Sequence, residues 1–250
     1  MESNDHSVNP IVRFGRRVRR GWRRLKLRWR SAPVRFIYHN AYAGTLDGAP
    51  NDPMRGEKIL GFLVDEGLLD REDISIPRRP AVRTLLRVHD PDYIDQVGTD
   101  PEVNERIFGE RISDADAEKM IELQRMGVGG TVLATRLALQ RRSIAINLGG
   151  GFHHAARSRG MGFCIFNDIA VAVARLRDKG FKDQILVVDL DVHDGNGTRE
   201  IFAHDSTVHT YSVHNKHWGE TEAVASTAIE LGDEVTDEVY LGTLLKTLPD

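Results

Sequence analysis

The chain has 250 residues, of which 40% are hydrophobic and 28% are charged, and its formal net charge is −3. This composition is that of an ordinary globular protein, and the length allows one large domain with a sizeable core. No run of about 18 apolar residues is present, which excludes a membrane-spanning helix, and the opening residues lack the apolar stretch of a secretory signal. The single cysteine, Cys164, excludes an internal disulfide, so we expect a protein of the reducing cytoplasm.

The basic charge is concentrated in one segment, residues 13–30, which reads RFGRRVRRGWRRLKLRWR. This segment holds ten basic residues and no acidic one, so the remainder of the chain is strongly acidic. Its apolar residues fall only roughly at helical spacing. That pattern fits an amphipathic helix on an anionic membrane or on nucleic acid, and it fits equally a disordered leader or a start codon assigned too early. We expect residues 1–33 to form such an arm and residues 34–250 to form one domain.

Helical and strand patterns alternate in the first half of the predicted domain. The segment RFIYH at 35–39 predicts a strand, and RGEKILGFLVDEGLL at 55–69 predicts a helix with one apolar stripe. Apolar residues at three- and four-residue steps predict a long helix over 114–142. The glycines at 127–130 mark a point where that helix could break.

His89 stands directly before Asp90 and Pro91, a pair that is typical of a helix start. In such a start the Asp is the N-cap and the Pro occupies the first turn. This context explains His89 as a neighbour of a helix terminus. A role for His89 in a loop near a pocket is the weaker interpretation.

Three apolar runs of strand length appear in the second half of the chain, at 143–148, 184–190 and 206–213. A helical segment, 167–180, separates the first two runs, and Gly180 is placed to end it. Strands that are apolar throughout and separated by helices indicate a parallel sheet covered on both faces. The sequence therefore predicts a three-layer α/β domain, with the parallel sheet between helices.

Two polar motifs follow the first two of these strands. The segment GGGFHH, residues 149–154, follows one strand, and DLDVHDGNG, residues 189–197, ends the next. Ligands of open α/β sheets bind beyond the carboxyl ends of the strands, so we expect the two motifs to meet in one pocket. Three glycines allow a close approach of the chain to a ligand, which would present His153 and His154 rather than bury them.

The second motif contains residue types that bind metal ions. Asp191 and His193 lie two residues apart on an extended strand end, so their side chains point to the same side. They can supply two of the three protein ligands that catalytic zinc usually takes. Asp189 lies on the same side one step deeper, where it suits an acceptor that orients a histidine. Either motif taken by itself is more often a capped loop or a turn, but two such motifs at neighbouring strand ends favour a metal site.

Four motifs occur in an order and spacing that one enzyme family shares: RVHDPDYID (87–95), INLGGGFHHA (146–155), GFCIFNDIAVA (162–172) and DLDVHDGNG (189–197). With these residues the chain, from about Ile37 to its end, resembles the histone deacetylase superfamily of zinc-dependent amidohydrolases. It is most similar to the class IV branch and its bacterial relatives. The resemblance implies an arginase-deacetylase fold and the hydrolysis of an acyl amide on a lysine or a similar amine.

The resemblance also implies catalytic roles for the motif residues. Asp191 and His193 match two of the three ligands of the family's cofactor, Zn²⁺. His153 and His154 match the tandem pair that moves protons, and Asp189 matches the acceptor of a hydrogen bond from His153. We expect the two histidines to have unequal roles, with His154 the stronger candidate for proton transfer.

Further positions of the family pattern surround this centre. Phe163 matches a residue that lines the narrow channel for the acyl-lysine stem, and Phe152 and Gly162 match positions near the channel floor. Asn196 stands where many relatives carry an Asp that supports a histidine, and the class IV branch shares the Asn. Backbone carbonyls match positions that hold a structural monovalent cation (K⁺) in relatives, namely those of Asp189, Asp191, His193, Ser212 and Val213.

The chain departs from the family pattern beyond residue 215. In relatives a later strand carries the third zinc ligand, an Asp, and a glycine-rich loop carries a Tyr that stabilises the oxyanion. Here the sequence shows only a connecting segment and a final helical pattern at 236–250, and the remaining candidates lack the expected context: Asp233, Asp237, Tyr211 and Tyr240. We therefore expect a truncated gene product or a sequence fragment, with an incomplete site, weakened zinc binding and an apolar sheet edge left open.

Three other interpretations stay open. The segment DVHDG at 191–195 resembles the dimetal signature of amidinohydrolases of the same fold, although the His-His pair after three glycines favours the single-zinc enzyme. A catalytically inactive binding module would act through the basic arm. A complementing fragment would take its missing strands from a partner chain.

Overall fold

The computed structural model describes residues 34–44, 52–219 and 221–248. The basic arm predicted for residues 1–33 lies outside the described residues. The division of the chain into an arm and a domain therefore stays a prediction.

Over the described ranges the chain forms six β-strands and eight α-helices, with short 3-10 turns at Asn40–Ala43 and Arg71–Asp73. The strands are β1 (Arg35–Ile37), β2 (Ile74–Ser75), β3 (Ala145–Asn147), β4 (Ile185–Asp189), β5 (Val208–His214) and β6 (Ser226–Glu230). The helices are α1 (Arg55–Asp65), α2 (Val82–Leu85), α3 (Pro91–Gln96), α4 (Pro101–Phe108), α5 (Asp114–Arg141), α6 (Asp168–Asp178), α7 (Asn196–Ile201) and α8 (Asp237–Thr247). Within these ranges no helix combines the length and the apolar character needed to cross a membrane.

The strands form two parallel sheets of three strands each, in the orders β2-β1-β3 and β4-β5-β6. Asp189 at the end of β4 pairs with Ser212 of β5, and Val213 pairs with Ile229 of β6, so the carboxyl ends of these strands lie together. β5 lies between two partners and is buried almost throughout, its polar residues Thr210, Ser212 and His214 included. The predicted α/β fold with parallel strands is confirmed.

The predicted long helix is present as α5, which is 28 residues long and uninterrupted. The glycines at 127–130 do not break this helix; they let another part of the chain approach it. A Cβ atom at Gly127 would lie only 2.1 Å from the carbonyl oxygen of Gly149, so a larger residue would push the two segments apart. The glycines thus bring α5 against the loop that follows β3.

Most predicted elements are found within a few residues of their expected bounds, but the segment beyond residue 215 differs. We expected a connection and a final helix there; the structure has the helix, α8, and in the connection it has the strand β6. Among the described residues β6 lies at the edge of its sheet and is only partly buried, which agrees with its half-polar sequence, STAIE. An edge strand of this kind does not produce the continuous apolar run that reveals a central strand. The short elements β2, α4 and α7 likewise have no counterpart in the sequence prediction.

The main core lies where α6 packs beside α5 and against the β4–β5 sheet. Val171 of α6 and Val208 of β5 are both fully buried in it. Asn167 caps α6 with its side chain, and Gly180, with a φ of +84°, follows the end of the helix as predicted. These two ends place Asp168, the first residue of α6, beneath the glycine-rich loop.

Apolar side chains remain uncovered along β4, which has one partner strand within the described residues. Leu186 and Val188 are 45% and 41% exposed, and Leu190 and Val192 after the strand are also exposed. Ile146 on β3 is exposed as well. Strands of a parallel sheet normally bury both faces, so this is an open apolar surface next to the strand ends.

His89 is a buried structural residue, as its helix-start context predicts. Its side chain is only 2% exposed. Nδ1 donates to the carbonyl oxygen of Ala156 at 2.9 Å, and Nε2 accepts the backbone N–H of Asn167 at 3.0 Å. His89 therefore ties the start of α3 to the loop after the His-His pair and to the cap of α6. Burial lowers the pKa of His89 to about 4.

We expect His89 to make the free energy of unfolding fall as the pH is lowered from 6.5 to about 4. In this window the unfolded chain binds a proton at His89 and the folded chain does not. The stabilisation is therefore complete above pH 6.5 and is lost as the pH falls towards the folded pKa. It amounts to about 3 kcal/mol, with a slope of about 1.4 kcal/mol per pH unit. In urea unfolding at a series of pH values, His89→Gln should lose this slope, and an unchanged slope would contradict the assignment.

Candidate active site

One buried carboxylate holds the glycine-rich loop at 149–151. Asp168 accepts the backbone N–H of Gly151 at 3.1 Å and that of Phe152 at 2.8 Å, and the hydroxyl of Thr131 on α5 also donates to it. Gly151 has a φ of +99°, a conformation that favours glycine. Asp168 is 1% exposed, and its burial raises its pKa. The loop before the His-His pair is thus anchored to the start of α6, a role for Asp168 that the sequence does not reveal.

His153 lies beside the end of β4. Its Nδ1 donates to Oδ2 of Asp189 at 2.6 Å, the pairing that the family resemblance implies. Its Nε2 is 3.9 Å from Oδ1 of Asp191. Burial lowers the pKa of His153, but the hydrogen bond to Asp189 and the negative charge of that carboxylate outweigh burial and raise the pKa overall. His153 is therefore the histidine that more readily carries a positive charge.

His154 has a different environment. Its Nδ1 donates to Oδ1 of Asn196 at 2.8 Å, and its ring stacks on Trp218 with centroids 4.1 Å apart and planes 4° from parallel. Burial and the positive charge of His153 lower the pKa of His154 to about 4, although the bond to Asn196 opposes them. At neutral pH His154 is uncharged, and with Nδ1 protonated its Nε2 can accept a proton.

The two histidines are buried, which corrects the expectation that the glycines would present them. His153 is 6% exposed and His154 is 3% exposed, and their rings lie 4.1 Å apart. Residues from distant parts of the chain cover them, namely Asp189, Asn196 and Trp218. The glycine-rich loop sets the position of the pair, and the elements that fold over the loop set its exposure.

Asp191 and His193 lie together after the end of β4, as predicted, but residues 191–193 form a bend there and not the expected extended strand end. Nδ1 of His193 is 3.0 Å from Oδ1 of Asp191, and the same oxygen accepts the backbone N–H of His193 at 2.8 Å. Both side chains are about half exposed. Two atoms that each bind one zinc ion at about 2.0–2.2 Å are expected to lie about 3 Å apart. The pair therefore fits a zinc ion as two of its ligands.

The charge state of Asp191 also suits a cation. Burial raises the pKa of this carboxyl, but the hydrogen bond from the His193 backbone and the charge of His153 lower it by more, so the pKa lies below its ordinary value. The Asp191 backbone N–H donates to Oδ1 of Asp189 at 3.1 Å, which orders the start of the motif. An ionised carboxylate is the form that binds a metal ion.

A second group of possible metal ligands lies behind His193. Asp194, His214 and His217 are, among the described residues, a trio whose ligand atoms all come within 4.8 Å of one another. The Asp194 carboxylate is already paired with both terminal nitrogens of Arg199, at 2.6 and 2.7 Å, so a metal ion there would face a guanidinium. The positive charge of Arg199 therefore disfavours a metal ion at the trio, which we interpret as a hydrogen-bond network. Asp191 and His193 are the better candidates for the metal ligands.

The three predicted channel residues take different places. A Cβ atom at Gly162 would lie 2.5 Å from Cδ2 of His154, so this glycine lies directly against the histidine pair. Phe163, the next residue, is 49% exposed. Phe152 packs instead against α5, where a Cβ atom at Gly127 would lie 2.7 Å from its ring. Gly162 thus borders the pair, whereas channel positions for Phe163 and Phe152 stay predictions.

Gln124 on α5 holds the turn that carries Phe163. Its Nε2 donates to the carbonyl oxygen of Phe163 at 2.5 Å, and its Oε1 accepts the backbone N–H of Ile165 at 2.7 Å. Phe163 has a φ of +64°, which costs a residue with a side chain about 1–2 kcal/mol. Gln124 is 1% exposed, and a buried polar residue in a helical apolar stripe is the only sequence signal of this role. Residues that buried hydrogen bonds hold in such a strained backbone conformation are common at functional sites.

Trp218 is a site residue that no motif of the sequence reveals. Its ring lies 4.1 Å from that of His154 and 5.4 Å from that of His193. The available signal is that Trp218 is the only tryptophan outside the basic segment 13–30. Its place in the loop after β5 becomes meaningful only when that loop folds over the first motif.

The other candidates named after residue 210 have mixed surroundings. Tyr211 is buried, and its hydroxyl bonds to that of Thr247 on α8 at 2.7 Å. Asp233 accepts from the side chain of Asn215 at 2.7 Å. Tyr240 borders a cavity of about 220 Å³ that Asp191 also lines, so it lies nearer the predicted metal ligands than its sequence context indicates.

Comparisons with known proteins agree with this geometry. Residues 49–243 match the model of the histone deacetylase domain. An uncharacterized protein of Picosynechococcus is 34% identical over 218 residues, which span 86% of this chain and 71% of the relative. Histone deacetylase 2 of Arabidopsis thaliana is 32% identical over 200 residues, which span 73% of this chain and 49% of the relative. The crystal structure of an HDAC homolog from Aquifex aeolicus is similar with a TM-score of 0.71 and 27% identity.

The extent of these matches is informative. The similarity to the Aquifex structure covers 86% of this chain and 63% of that one, and the chain spans about half the length of the Arabidopsis relative. The domain match includes the His-His pair, both strand-end motifs and Trp218. The shared architecture is the three-layer arginase-deacetylase fold that the motifs imply. The chain therefore belongs to the histone deacetylase family.

Proposed function

We propose that this chain carries an incomplete form of the site of a zinc-dependent deacylase, an enzyme that hydrolyses the amide of an acyl-lysine or a similar acylated amine. The observation that supports it is the meeting of the two strand-end motifs. Nε2 of His153 is 3.9 Å from Oδ1 of Asp191, and the ring of His154 is 5.8 Å from that of His193. Histidines beside two metal-ligand atoms form the arrangement that amide hydrolysis by activated water needs.

Asp191 and His193 would hold Zn²⁺ through Oδ1 and Nδ1. When bound, zinc polarises the amide carbonyl and allows water to attack at neutral pH. Catalytic zinc usually takes three protein ligands, so the two identified among the described residues predict weak binding by themselves. Asp189 and Ser212 are neighbours across β4 and β5. Their backbone carbonyls belong to the proposed K⁺ site, together with those of Asp191, His193 and Val213.

The two histidines would divide the proton chemistry. His154, uncharged at neutral pH, would take the proton of the attacking water at Nε2. It would then return that proton to the leaving amine, which cannot leave as an anion. His153, whose positive charge Asp189 favours, would stabilise the negative charge that develops on the substrate oxygen. Phe163 at the rim would line the path of the acyl-lysine stem.

The decisive experiment combines zinc stoichiometry with turnover. The full chain is titrated with Zn²⁺ and then assayed for amine release from an acetyl-lysine peptide. We expect one zinc per chain and turnover that falls about 100- to 10,000-fold in His154→Ala. His204→Ala, which changes an exposed histidine outside the site, is the matched control and should keep full activity.

Other results would support the remaining interpretations. Two metal ions per chain would favour an amidinohydrolase. Binding to anionic vesicles or DNA that disappears on deletion of residues 13–30, with no zinc bound, would favour a binding module that acts through the basic arm. Either result would replace the proposed deacylase.

Asn196→Asp is expected to shift the acid limb of the pH–rate profile upward. A carboxylate in place of the amide would stabilise the positively charged form of His154, whose pKa is now lowered to about 4. An opposite charge at hydrogen-bond distance raises a histidine pKa by about 1–3 units, and the base is active only when unprotonated. The measurement is kcat against pH for the two proteins. An unmoved acid limb would show that Asn196 does not support the catalytic base.

A further inference from the structure

We propose that the buried ion pair between Asp194 and Arg199 is a positioning element that seats Trp218 on the face of His154. It acts on the proposed catalytic base through another side chain, so its effect on turnover rests on the proposed function. Its effect on the position of the indole does not.

The ion pair is buried and complete. The Asp194 side chain is fully buried and the Arg199 side chain is 4% exposed. Two parallel hydrogen bonds join them, at 2.6 and 2.7 Å, which is the bidentate geometry that only Arg provides. Removing two charges from water is costly, so such a pair is weak evidence for stability by itself. A geometric role explains why charge is placed here.

The same two residues also hold the loop after β5. Oδ2 of Asp194 accepts the backbone N–H of Trp218 at 3.1 Å, and the Arg199 guanidinium donates to the carbonyl oxygen of Gly219 at 3.4 Å. Contacts from both partners therefore bracket the two residues Trp218 and Gly219, the first of which carries the indole. The backbone of the loop is fixed by the pair that lies beneath it.

Two histidines complete the network, His214 at the end of β5 and His217 in the loop that follows. Nδ1 of His214 lies 3.5 Å from Asp194, and Nδ1 of His217 lies 3.8 Å from it. Nε2 of His214 and Nδ1 of His217 are 2.9 Å apart and share a hydrogen bond. Asp194 is thus the centre on which the loop from His214 to Gly219 converges.

The indole that is fixed in this way covers the proposed base. Trp218 stacks on His154 at 4.1 Å, nearly parallel, while Asn196 holds Nδ1 of the same ring. Gly162 lies beside both rings, since a Cβ atom there would be 2.5 Å from His154 and 3.1 Å from Trp218. An imidazole confined by a stacked ring and one hydrogen bond keeps its Nε2 in one direction. That confinement is what proton transfer at a fixed distance requires.

The seating of the indole can be measured without activity. The chain has three tryptophans, so changing Trp22 and Trp29 to Phe leaves Trp218 as the only emitter. In that background we expect Arg199→Met to raise the acrylamide quenching constant of Trp218 severalfold and to shift its emission to longer wavelength. Glu200→Gln changes the neighbouring Arg159–Glu200 pair on the same helix and should leave both properties unchanged. Quenching in folded Arg199→Met equal to that of the background protein would overturn the proposal.

Kinetics and a second variant series guard against misfolding. In Arg199→Met with a native far-UV circular dichroism spectrum, we expect kcat to fall about 10- to 100-fold with little change in KM, as for other outer partners of a catalytic group. If Arg199→Met does not fold, Trp218→Phe and Trp218→Leu decide instead. Trp218→Phe should retain most of kcat. Trp218→Leu should lower kcat about 10- to 100-fold, as expected for Arg199→Met. Equal kcat in both Trp218 variants and the parent would refute the role. Absence of turnover in the parent would count against the deacylase only, since the quenching result stands by itself.

Discussion

Replacing Asp191 with alanine is expected to weaken Zn²⁺ binding by well over 100-fold. Asp191 supplies one of the two donor atoms that lie 3.0 Å apart at the strand end, and its removal leaves a single imidazole. Asp189→Asn neutralises the carboxylate that accepts from Nδ1 of His153 and from the Asp191 backbone N–H, and it should weaken binding or activity by about 10- to 100-fold. The measurement is a zinc titration against a chelator of known affinity, with each variant purified as the full chain.

The trio behind the site provides the control for this experiment. If zinc is bound by Asp191 and His193, His217→Ala should leave the affinity unchanged, because His217 lies in the network around Asp194. If zinc were bound by the trio instead, His217→Ala would weaken it and Asp191→Ala would not. The two variants therefore assign the metal to one group or the other.

Asp194→Ala is expected to lower the free energy of unfolding by about 3–5 kcal/mol. It leaves the guanidinium of Arg199 buried without its counter-ion, which is the costly way to break such a pair. A loss of this size is a large fraction of the total stability of a typical domain, about 5–15 kcal/mol. Urea unfolding followed by far-UV circular dichroism measures it.

Two further variants separate burial from charge. Glu200→Ala breaks the partly exposed pair with Arg159 and should cost about 0–1 kcal/mol. The double variant Asp194→Leu with Arg199→Met removes both charges, so it should recover much of the stability lost in Asp194→Ala. It should not restore the shielding of Trp218 from quencher. A cost for Asp194→Ala no larger than that for Glu200→Ala would show that Arg199 finds water or another partner.

The sequence by itself determined the class of fold and the local geometry of the motifs. Apolar runs predict β3, β4 and β5, and the motif predicts that Asp191 and His193 lie close together, although a bend at 191–193 brings them together rather than the two-residue period of an extended chain. The bond between His153 and Asp189 was expected from the family motifs, and the structure has it at 2.6 Å. The strands depend on residues that are close in the chain, and the family resemblance depends on the order of the motifs, both of which the sequence shows directly.

Only the tertiary structure decided how the motifs are buried and held. Trp218 is 64 residues from His154, and Gln124 is 39 residues from the carbonyl that it holds. Neither pairing leaves a periodic trace, because each depends on a loop being laid over another element rather than on spacing within one. The same holds for β6, whose half-polar sequence becomes a strand only because β5 offers it an edge. Local spacing sets which way a side chain points, whereas its burial and its pKa depend on the distant residues that pack around it.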